Sequence, residues 1–361
     1  MEKRGILSKY VQSMLWCGLV CTMMGYTRNT ALAQSAPIRI GVYYYPGWTP
    51  RIPMALRSDP WAPIRKFPQR MPAKGEYSDD SPVIMRQQLD EMNSGGISFV
   101  AFDVFTGPDG SPRSDQAIRA YLSVARVNKD PKLALMWDNS YSFIKSSSDW
   151  DKIIKFWTTR YLTHPNALHI INKPVVFIFS ANKMDELARN LGMTTEEMLD
   201  RAQIVAKSLG TDGIFFVAGV APNSPFLNKV RDFGYNAVSE YNLGSSGHGF
   251  TNRDQSYRRY WSMYEEKSPL PVVLPMTVGW DRTPWGGSTQ DNSRSDPNAF
   301  AVHTRAAIQY LQKGRSEENR VGVICCWNEY GEGSVLEPTR QYSNSHLLRL
   351  KREINNTNLQ Q

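Results

Sequence analysis

The chain has 361 residues, of which 41% are hydrophobic and 21% charged, and its formal net charge is +8. This length suits one large domain or two modest ones. The excess positive charge is spread along the chain and forms no basic cluster interleaved with aromatic residues, which argues against a nucleic-acid-binding protein.

The first 33 residues have the features of a cleavable secretion signal. They contain a basic start (Lys3, Arg4 and Lys9), an apolar run (residues 14–24) and a small-residue cleavage pattern (Ala31-Leu32-Ala33). We expect cleavage after Ala33, so that the mature protein begins at Gln34 and is periplasmic or secreted. The apolar run is too short for a comfortable membrane span, and no later stretch is long enough for one. An uncleaved N-terminal anchor is the alternative.

Short apolar runs alternate with helical patterns through the rest of the chain. The eight predicted strands are residues 39–45, 97–105, 132–138, 174–180, 214–220, 237–241, 272–278 and 321–327. Most of them are continuously apolar, as is typical of parallel strands that are buried on both faces. The predicted helices are residues 81–92, 114–128, 150–162, 194–208, 225–233, 256–266 and 298–312, and residues 353–361 are predicted to be a frayed tail.

This alternation predicts an α/β fold, a single (β/α)8 TIM barrel in residues 34–361. A doubly wound open sheet would use the same units, but it usually carries a glycine-rich phosphate loop after the first strand. Here the first strand runs instead into Tyr43-Tyr44-Tyr45-Pro46-Gly47-Trp48. We find no internal repeat and no domain boundary within the barrel.

The cysteine and histidine residues show no metal-binding pattern. Cys325 and Cys326 are adjacent in one predicted strand, where neighbouring side chains point to opposite faces. A disulfide between them would need a strained geometry, so we expect two buried free thiols. The five histidines are scattered and have no zinc-ligand spacing. We therefore expect neither a metal nor a cofactor.

The active site of such a barrel lies at the carboxyl ends of the strands. Five of the eight predicted strands end in a carboxylate, and most of these lie beside an aromatic residue. The residues that we expect to bind a ligand there are Tyr45, Trp48, Asp103, Trp137, Asp138, Glu240, Tyr241, Trp280, Asp281, Trp285, Asn328 and Tyr330. Converging carboxylates repel one another and resist desolvation, so a fold keeps them mainly for function.

Each of these residues also has a structural interpretation. The four tryptophans fit a cleft and a core equally well, although an indole face does cover the apolar face of a sugar ring. Asn328 is better suited to orienting Glu329 than to touching a ligand. Glu337 fits a structural ion pair with an arginine such as Arg340.

The last predicted strand leads into two glutamates three residues apart, Glu329 and Glu332, with Gly331 and Gly333 allowing a sharp loop. Cleavage of a glycosidic bond needs one carboxylic acid to protonate the departing oxygen and one carboxylate to act as base or nucleophile. This pair fits both roles. The alternative is a helix N-terminus, where acidic residues favour the helix dipole.

The segment Asn328-Glu329-Tyr330-Gly331-Glu332-Gly333-Ser334-Val335-Leu336-Glu337-Pro338 resembles the Asn-Glu-Trp-His-Glu-Gly…Glu-Pro segment of family 99 glycoside hydrolases, the endo-α-mannosidases and endomannanases. It also resembles the WbsX-type proteins of polysaccharide loci, and residues 41–48 resemble the first strand of this group. The resemblance implies an endo-acting, retaining hydrolase that needs no metal. It further implies that Glu329 deprotonates the sugar's own 2-hydroxyl, while Glu332 is the general acid and then the general base.

Two departures from that family leave the sugar and the route open. Tyr330-Gly331 replaces Trp-His, and Asp138 stands in the third strand where the endomannosidases have a glutamate. We therefore predict an exported glycosidase acting on an oligo- or polysaccharide, α-mannoside-like in character. The first alternative is a WbsX-like glycosyltransferase, against which the export signal argues because sugar-nucleotide donors are cytoplasmic. The second is a catalytically silent barrel that binds glycans.

Overall fold

Eight parallel strands form a barrel, and each coincides with a predicted apolar run. They are β1 (Arg39–Tyr44), β2 (Phe99–Val104), β3 (Lys132–Trp137), β4 (Lys173–Ile178), β5 (Phe215–Gly219), β6 (Ala237–Ser239), β7 (Leu274–Thr277) and β8 (Val321–Cys325). The computed structural model describes residues 36–50, 58–107, 111–140, 143–286, 292–314 and 316–358. The predicted signal and its cleavage site lie outside the described residues.

The strand order confirms the (β/α)8 prediction. The strands follow one another as β6-β5-β4-β3-β2-β1-β8-β7, and every pair of neighbours is parallel. A parallel bridge between Val238 and Val272 joins the two ends of this series. The sheet therefore curls into a nearly closed barrel, with one core cluster inside it and a larger one between the strands and the helices.

Strand residues alternate between the barrel interior and the surrounding helices. Tyr43, Ala101 and Met136 belong to the inner cluster, whereas Tyr44 and Trp137 belong to the outer cluster that packs against the helices. This alternation follows from the two-residue period of a strand. It decides which side chains reach the mouth of the barrel.

Eight α-helices surround the strands within the described residues. They are α1 (Pro82–Gly95), α2 (Gln116–Val124), α3 (Ser147–Trp157), α4 (Ala181–Asn190), α5 (Thr195–Ser208), α6 (Gly249–Lys267), α7 (Pro297–Gln312) and α8 (Ser345–Asn358). The side chain of Ser81 caps α1, and Thr194 with Glu197 forms a capping box at the start of α5. None of these helices combines the length and apolar composition needed to cross a membrane.

Three helix predictions were wrong or missing. Residues 225–233 form only the 3-10 turn Pro225–Lys229, in which Leu227 is the one buried side chain. Helix α4 was not predicted. Residues 353–358 of the tail that was expected to be frayed belong to α8, and buried Glu353 forms an ion pair with Arg305 of α7 at 2.8 Å.

The expectation of two free thiols was also wrong. Cys325 and Cys326 form a disulfide, and the peptide bond between them is cis. Strand β8 ends at Cys325, so the alternation of side chains that the prediction assumed does not extend to Cys326. Both residues are fully buried in the inner cluster, below the mouth of the barrel.

Candidate functional site

A cavity of about 380 Å³ opens at the carboxyl ends of the strands. Its described lining consists of Tyr45, Pro46, Gly47, Asp103, Phe105, Ser114, Met136, Asp138, Phe179, Glu240, Tyr241, Asn242, Trp280, Trp285, Glu329 and Glu332. Nine of the fourteen residues predicted for the site are thus brought together in one cavity. Within the described chain, no group of three or more His, Cys, Asp or Glu residues is arranged to hold a metal ion.

A short hairpin after β8 carries both predicted catalytic glutamates. Residues Asn328–Glu329 pair antiparallel with Ser334–Val335, and the amide of Glu332 donates to the carbonyl oxygen of Glu329 at 3.2 Å. This tight turn brings the side chains of Glu329 and Glu332 into the same cavity. Glu329 is almost completely buried, whereas Glu332 is half-buried.

Asn328 fixes this hairpin to the end of β1. Its Oδ1 accepts from the amide of Tyr45 at 2.9 Å, and its Nδ2 donates to the Tyr45 carbonyl oxygen at 3.0 Å. The indole of Trp48 donates to the Asn328 carbonyl oxygen at 3.0 Å. Asn328 lies outside the cavity, and these contacts give it an orienting role.

Tyr241 connects two buried carboxyl groups. Its hydroxyl lies 3.2 Å from Asp103 Oδ2 and 3.3 Å from Glu329 Oε1. Burial, together with the neighbouring Glu332 and Asp103, raises the pKa of Glu329 well above its ordinary value. Burial and the nearby Asp138 likewise raise the pKa of the Asp103 carboxyl. The cavity therefore holds protons at a pH where free carboxyl groups are ionised.

Glu240 adds a further titrating group to the cavity. Burial raises its pKa to about 7, although the backbone amide of Tyr241 donates to Glu240 Oε1 at 3.1 Å and favours the charged form. None of the described lining residues is a lysine, an arginine or a histidine. The cavity is therefore a carboxyl-rich site that can exchange protons near neutral pH.

Aromatic side chains form much of the remaining wall. The rings of Tyr45 and Trp285 meet edge to face with centroids 6.0 Å apart, and Phe179 meets Tyr241 in the same way at 5.5 Å. Trp280 completes this apolar surface. Carboxyl groups set among aromatic faces can bind a sugar through its hydroxyls and its apolar ring face.

Five of the predicted site residues lie outside the cavity. Trp48 stacks on Trp61 with centroids 4.2 Å apart, and Trp137 packs against Trp150 of α3 at 5.2 Å. Asp281 forms an ion pair with Arg70. Buried Tyr330 donates to Glu337 Oε2 at 2.7 Å, and Asn328 holds β1 as described above.

Seven residues of the lining were not among the predicted site residues: Pro46, Gly47, Phe105, Ser114, Met136, Phe179 and Asn242. Met136 precedes Asp138 by two positions and therefore points to the same face of β3, so strand alternation would have found it. Phe179 follows β4, a strand without a terminal carboxylate, which is why that strand end was passed over. For Ser114, on the loop before α2, we find no signal in the sequence.

The fold is similar to that of known glycoside hydrolases. A family 99 endo-α-mannosidase from Bacteroides thetaiotaomicron superposes with a TM-score of 0.66 and 15% sequence identity, covering 89% of this chain and 97% of that one. A protein described as glycoside hydrolase-like also has a TM-score of 0.66, with 14% identity and coverage of 89% and 94%. At such identities the likeness establishes the fold.

The sequence also matches curated relatives. Uncharacterized protein WxcX of Xanthomonas campestris pv. campestris (strain B100) is 23% identical over 359 residues, which cover 86% of this chain and 49% of that protein. The chain spans about half the length of the curated relatives it matches. A sequence model of the family described as Glycosyltransferase WbsX matches residues 135–350, more than half of the chain and a span that includes both glutamates. The chain therefore belongs to the WbsX family, and its fold is that of the family 99 glycoside hydrolases.

Proposed function

We propose that this WbsX-family protein is an exported, endo-acting and retaining glycosidase that cleaves an α-mannoside-like polysaccharide or glycan. One observation carries the proposal: Glu329 and Glu332 face the same aromatic-walled cavity at the mouth of a (β/α)8 barrel. Glycosidic cleavage requires two carboxyl groups on opposite sides of one bond, and a shared cavity is the first condition for this. Export and the sugar class come from the N-terminal pattern and the family 99 resemblance.

The two glutamates differ in a way that suits different roles. Glu329 is enclosed, and its raised pKa makes it a stronger base when it is ionised. We assign it the removal of a proton from the sugar's 2-hydroxyl. Glu332 is half-buried at the tip of the hairpin, where a departing sugar can reach solvent, and we assign it the protonation of the leaving oxygen.

A glycosyltransferase is the second candidate, because the matching family model is described by that activity. A transferase that uses a sugar-nucleotide donor must hold a diphosphate, usually with cationic side chains or backbone amides at a helix N-terminus. The described lining of the cavity has five carboxyl groups and no cationic side chain. A diphosphate would be repelled there, so we favour hydrolysis.

The test is activity of the mature protein, from Gln34 onward, on α-mannans and bacterial polysaccharides. We expect wild type to release reducing ends, and Glu329→Gln and Glu332→Gln each to be slower by about 10²- to 10⁴-fold. Asp212→Asn, on an exposed loop, is the matched control and should match wild type. The anomeric form of the first product, followed by NMR, tests retention of configuration.

Other outcomes separate the alternatives. Full activity in both glutamate variants would overturn the assignment of this pair. Sugar transfer from a nucleotide donor, without hydrolysis, would establish the transferase. Glycan binding that neither wild type nor the variants convert into cleavage, across the whole panel, would establish a silent glycan-binding barrel.

A further inference from the structure

The hydrogen-bond geometry at Tyr241 constrains the protons in the cavity. Its hydroxyl is at hydrogen-bond distance from both Asp103 Oδ2 and Glu329 Oε1. A phenol has a single proton, so it can donate to only one of these two carboxyl groups. The other contact is a hydrogen bond only if that carboxyl group is itself protonated and donates to the phenol oxygen. The bridge therefore requires one extra proton, on Asp103 or on Glu329.

The surroundings favour this extra proton. Asp138 directly after β3 and Glu332 on the hairpin are further acidic groups near the pair, and both oppose its ionisation. Three further acidic groups lie nearby: Tyr43 in β1, Tyr45 directly after β1, and Glu240 after β6. Asp103 Oδ1 and Glu329 Oε2 are buried and have no hydrogen-bond partner among the described residues. Two ionised carboxylates side by side under these conditions would be costly.

We propose that Asp103 carries this proton and donates a hydrogen bond to the hydroxyl oxygen of Tyr241. The Tyr241 hydroxyl in turn donates a hydrogen bond to Glu329. The assignment rests on the proposed function, in which Glu329 must be ionised to act as the base. It makes Asp103 a positioning residue that acts through Tyr241. No proton is transferred between Asp103, Tyr241 and Glu329 in the resting enzyme. The neutral Asp103 adds no further negative charge to the cavity. The hydrogen bond that Tyr241 donates holds the Glu329 carboxylate in the orientation in which it can accept the proton of the sugar hydroxyl.

Infrared difference spectroscopy of the ligand-free mature protein tests the assignment without any substrate. A protonated carboxyl group has a carbonyl stretching band that an ionised carboxylate lacks. We expect Asp103→Asn at neutral pH to lose one such carbonyl band and no ionised-carboxylate band. Asp212→Asn, at an exposed position, is the control and should retain this carbonyl band. Loss of an ionised-carboxylate band in Asp103→Asn would overturn the proposal.

Tyr241→Phe supplies a second variant. Removing the acceptor of the Asp103 proton should move the same carbonyl band to higher frequency, because a carbonyl stretch rises when its carboxyl group loses a hydrogen bond. An unchanged band would contradict the contact between these two groups. Circular dichroism of both variants would establish that the barrel is intact.

A pH profile of kcat/KM distinguishes a positioning role from a merely structural one. If Asp103 is neutral, Asp103→Asn leaves the acidic limb, set by Glu329, at the wild-type pH. An ionised Asp103 predicts a shift of that limb to lower pH, because the substitution would then remove a neighbouring negative charge. Tyr241→Phe should shift the limb upward by about one pH unit, since Glu329 loses its donor. The infrared result does not depend on catalysis. Absence of glycan cleavage would therefore contradict the proposed function, whereas the infrared spectrum alone decides whether Asp103 is protonated.

Discussion

The indole of Trp285 lies directly against the backbone of Gly331, so close that a side chain at position 331 would have its Cβ well under 3.0 Å from three ring atoms. Trp285 is part of the cavity wall, and Gly331 separates the two candidate catalytic glutamates. The family 99 motif has histidine at this position, which cannot enter here unless Trp285 moves. The departure from the motif therefore exchanges a polar side chain for an indole from the loop after β7.

The substitution Gly331→Ala tests this exchange. We expect it to displace Trp285 and to destabilise the fold by about 1–3 kcal/mol through overpacking. In the Trp285→Ala background the same substitution should cost much less, because the space is then free. Denaturant unfolding of wild type, the two single variants and the double variant measures the coupling free energy between the two substitutions. Additive changes in the free energy of unfolding would show that the two residues do not compete for space.

Glu240 predicts a pH dependence of stability. Its pKa is raised from 4.5 to about 7 in the folded protein, so the folded state holds this proton more tightly than the unfolded chain does. The contribution of Glu240 to the free energy of unfolding should therefore fall as the pH rises from 4.5 to about 7. Unfolding of wild type and Glu240→Gln across this range isolates the contribution. A difference between the two that does not change with pH would contradict the raised pKa.

Glu337 anchors the loop after β1. Lys74 forms an ion pair with Glu337 Oε1 at 2.6 Å, while Tyr77 and Tyr330 donate to Oε2 at 2.8 and 2.7 Å. The partner is thus Lys74 and not Arg340, which the sequence suggested. We expect Glu337→Gln to destabilise the protein by about 3 kcal/mol, because it leaves buried donors and a buried ammonium poorly compensated.

Lys74 also pairs with Glu91 at 2.7 Å, and this contact provides the control. Glu91 is more exposed than Glu337, so Glu91→Gln should cost much less in the same denaturant unfolding measurement. Equal losses in the two variants would show that burial of Glu337 is not what matters.

His346 predicts a loss of stability in acid. Burial lowers its pKa from 6.5 to about 4, so the unfolded chain takes up this proton at a higher pH than the folded protein. Its stabilising contribution should be complete above pH 6.5 and be lost as the pH falls toward 4. The difference between these pKa values corresponds to about 3 kcal/mol. The unfolding free energy of His346→Gln, compared with wild type from pH 7 to 4, should lack this component, and a parallel decline in both proteins would refute it.

The barrel was predictable because each of its strands coincides with an apolar run in the sequence. Much of the cavity was predictable because polar residues directly follow these runs. Asp103 shows how far this reasoning reaches: a carboxylate late in an apolar strand does face the cavity. Strand alternation could have refined the prediction further. Trp137 pairs with Val104 in the register of β2 and β3, and both lie in the outer cluster, so its neighbour Met136 is the one that faces inward.

Other positions depend on contacts that no local pattern specifies. Trp48 is buried because the long loop after β1 folds back and places Trp61 against it, 13 positions away along the chain. Tyr330 lies between two cavity residues in the sequence, yet the tight hairpin turns it away toward Glu337. The disulfide at Cys325 and Cys326 depends on where β8 ends, which a single apolar run does not indicate.

The joint that closes the barrel has a consequence for access to the cavity. Strands β2 and β3 are joined by six residue pairs, whereas within the described chain Val238 and Val272 form one bridge between the side of β6 and that of β7. Fewer backbone hydrogen bonds make local opening less costly at such a joint than between β2 and β3. Glu240 and Tyr241 follow one side of the joint, and Trp280 follows the other. Local opening of this joint would therefore change the spacing of Glu240, Tyr241 and Trp280 at the cavity while leaving the longer strand pairings intact.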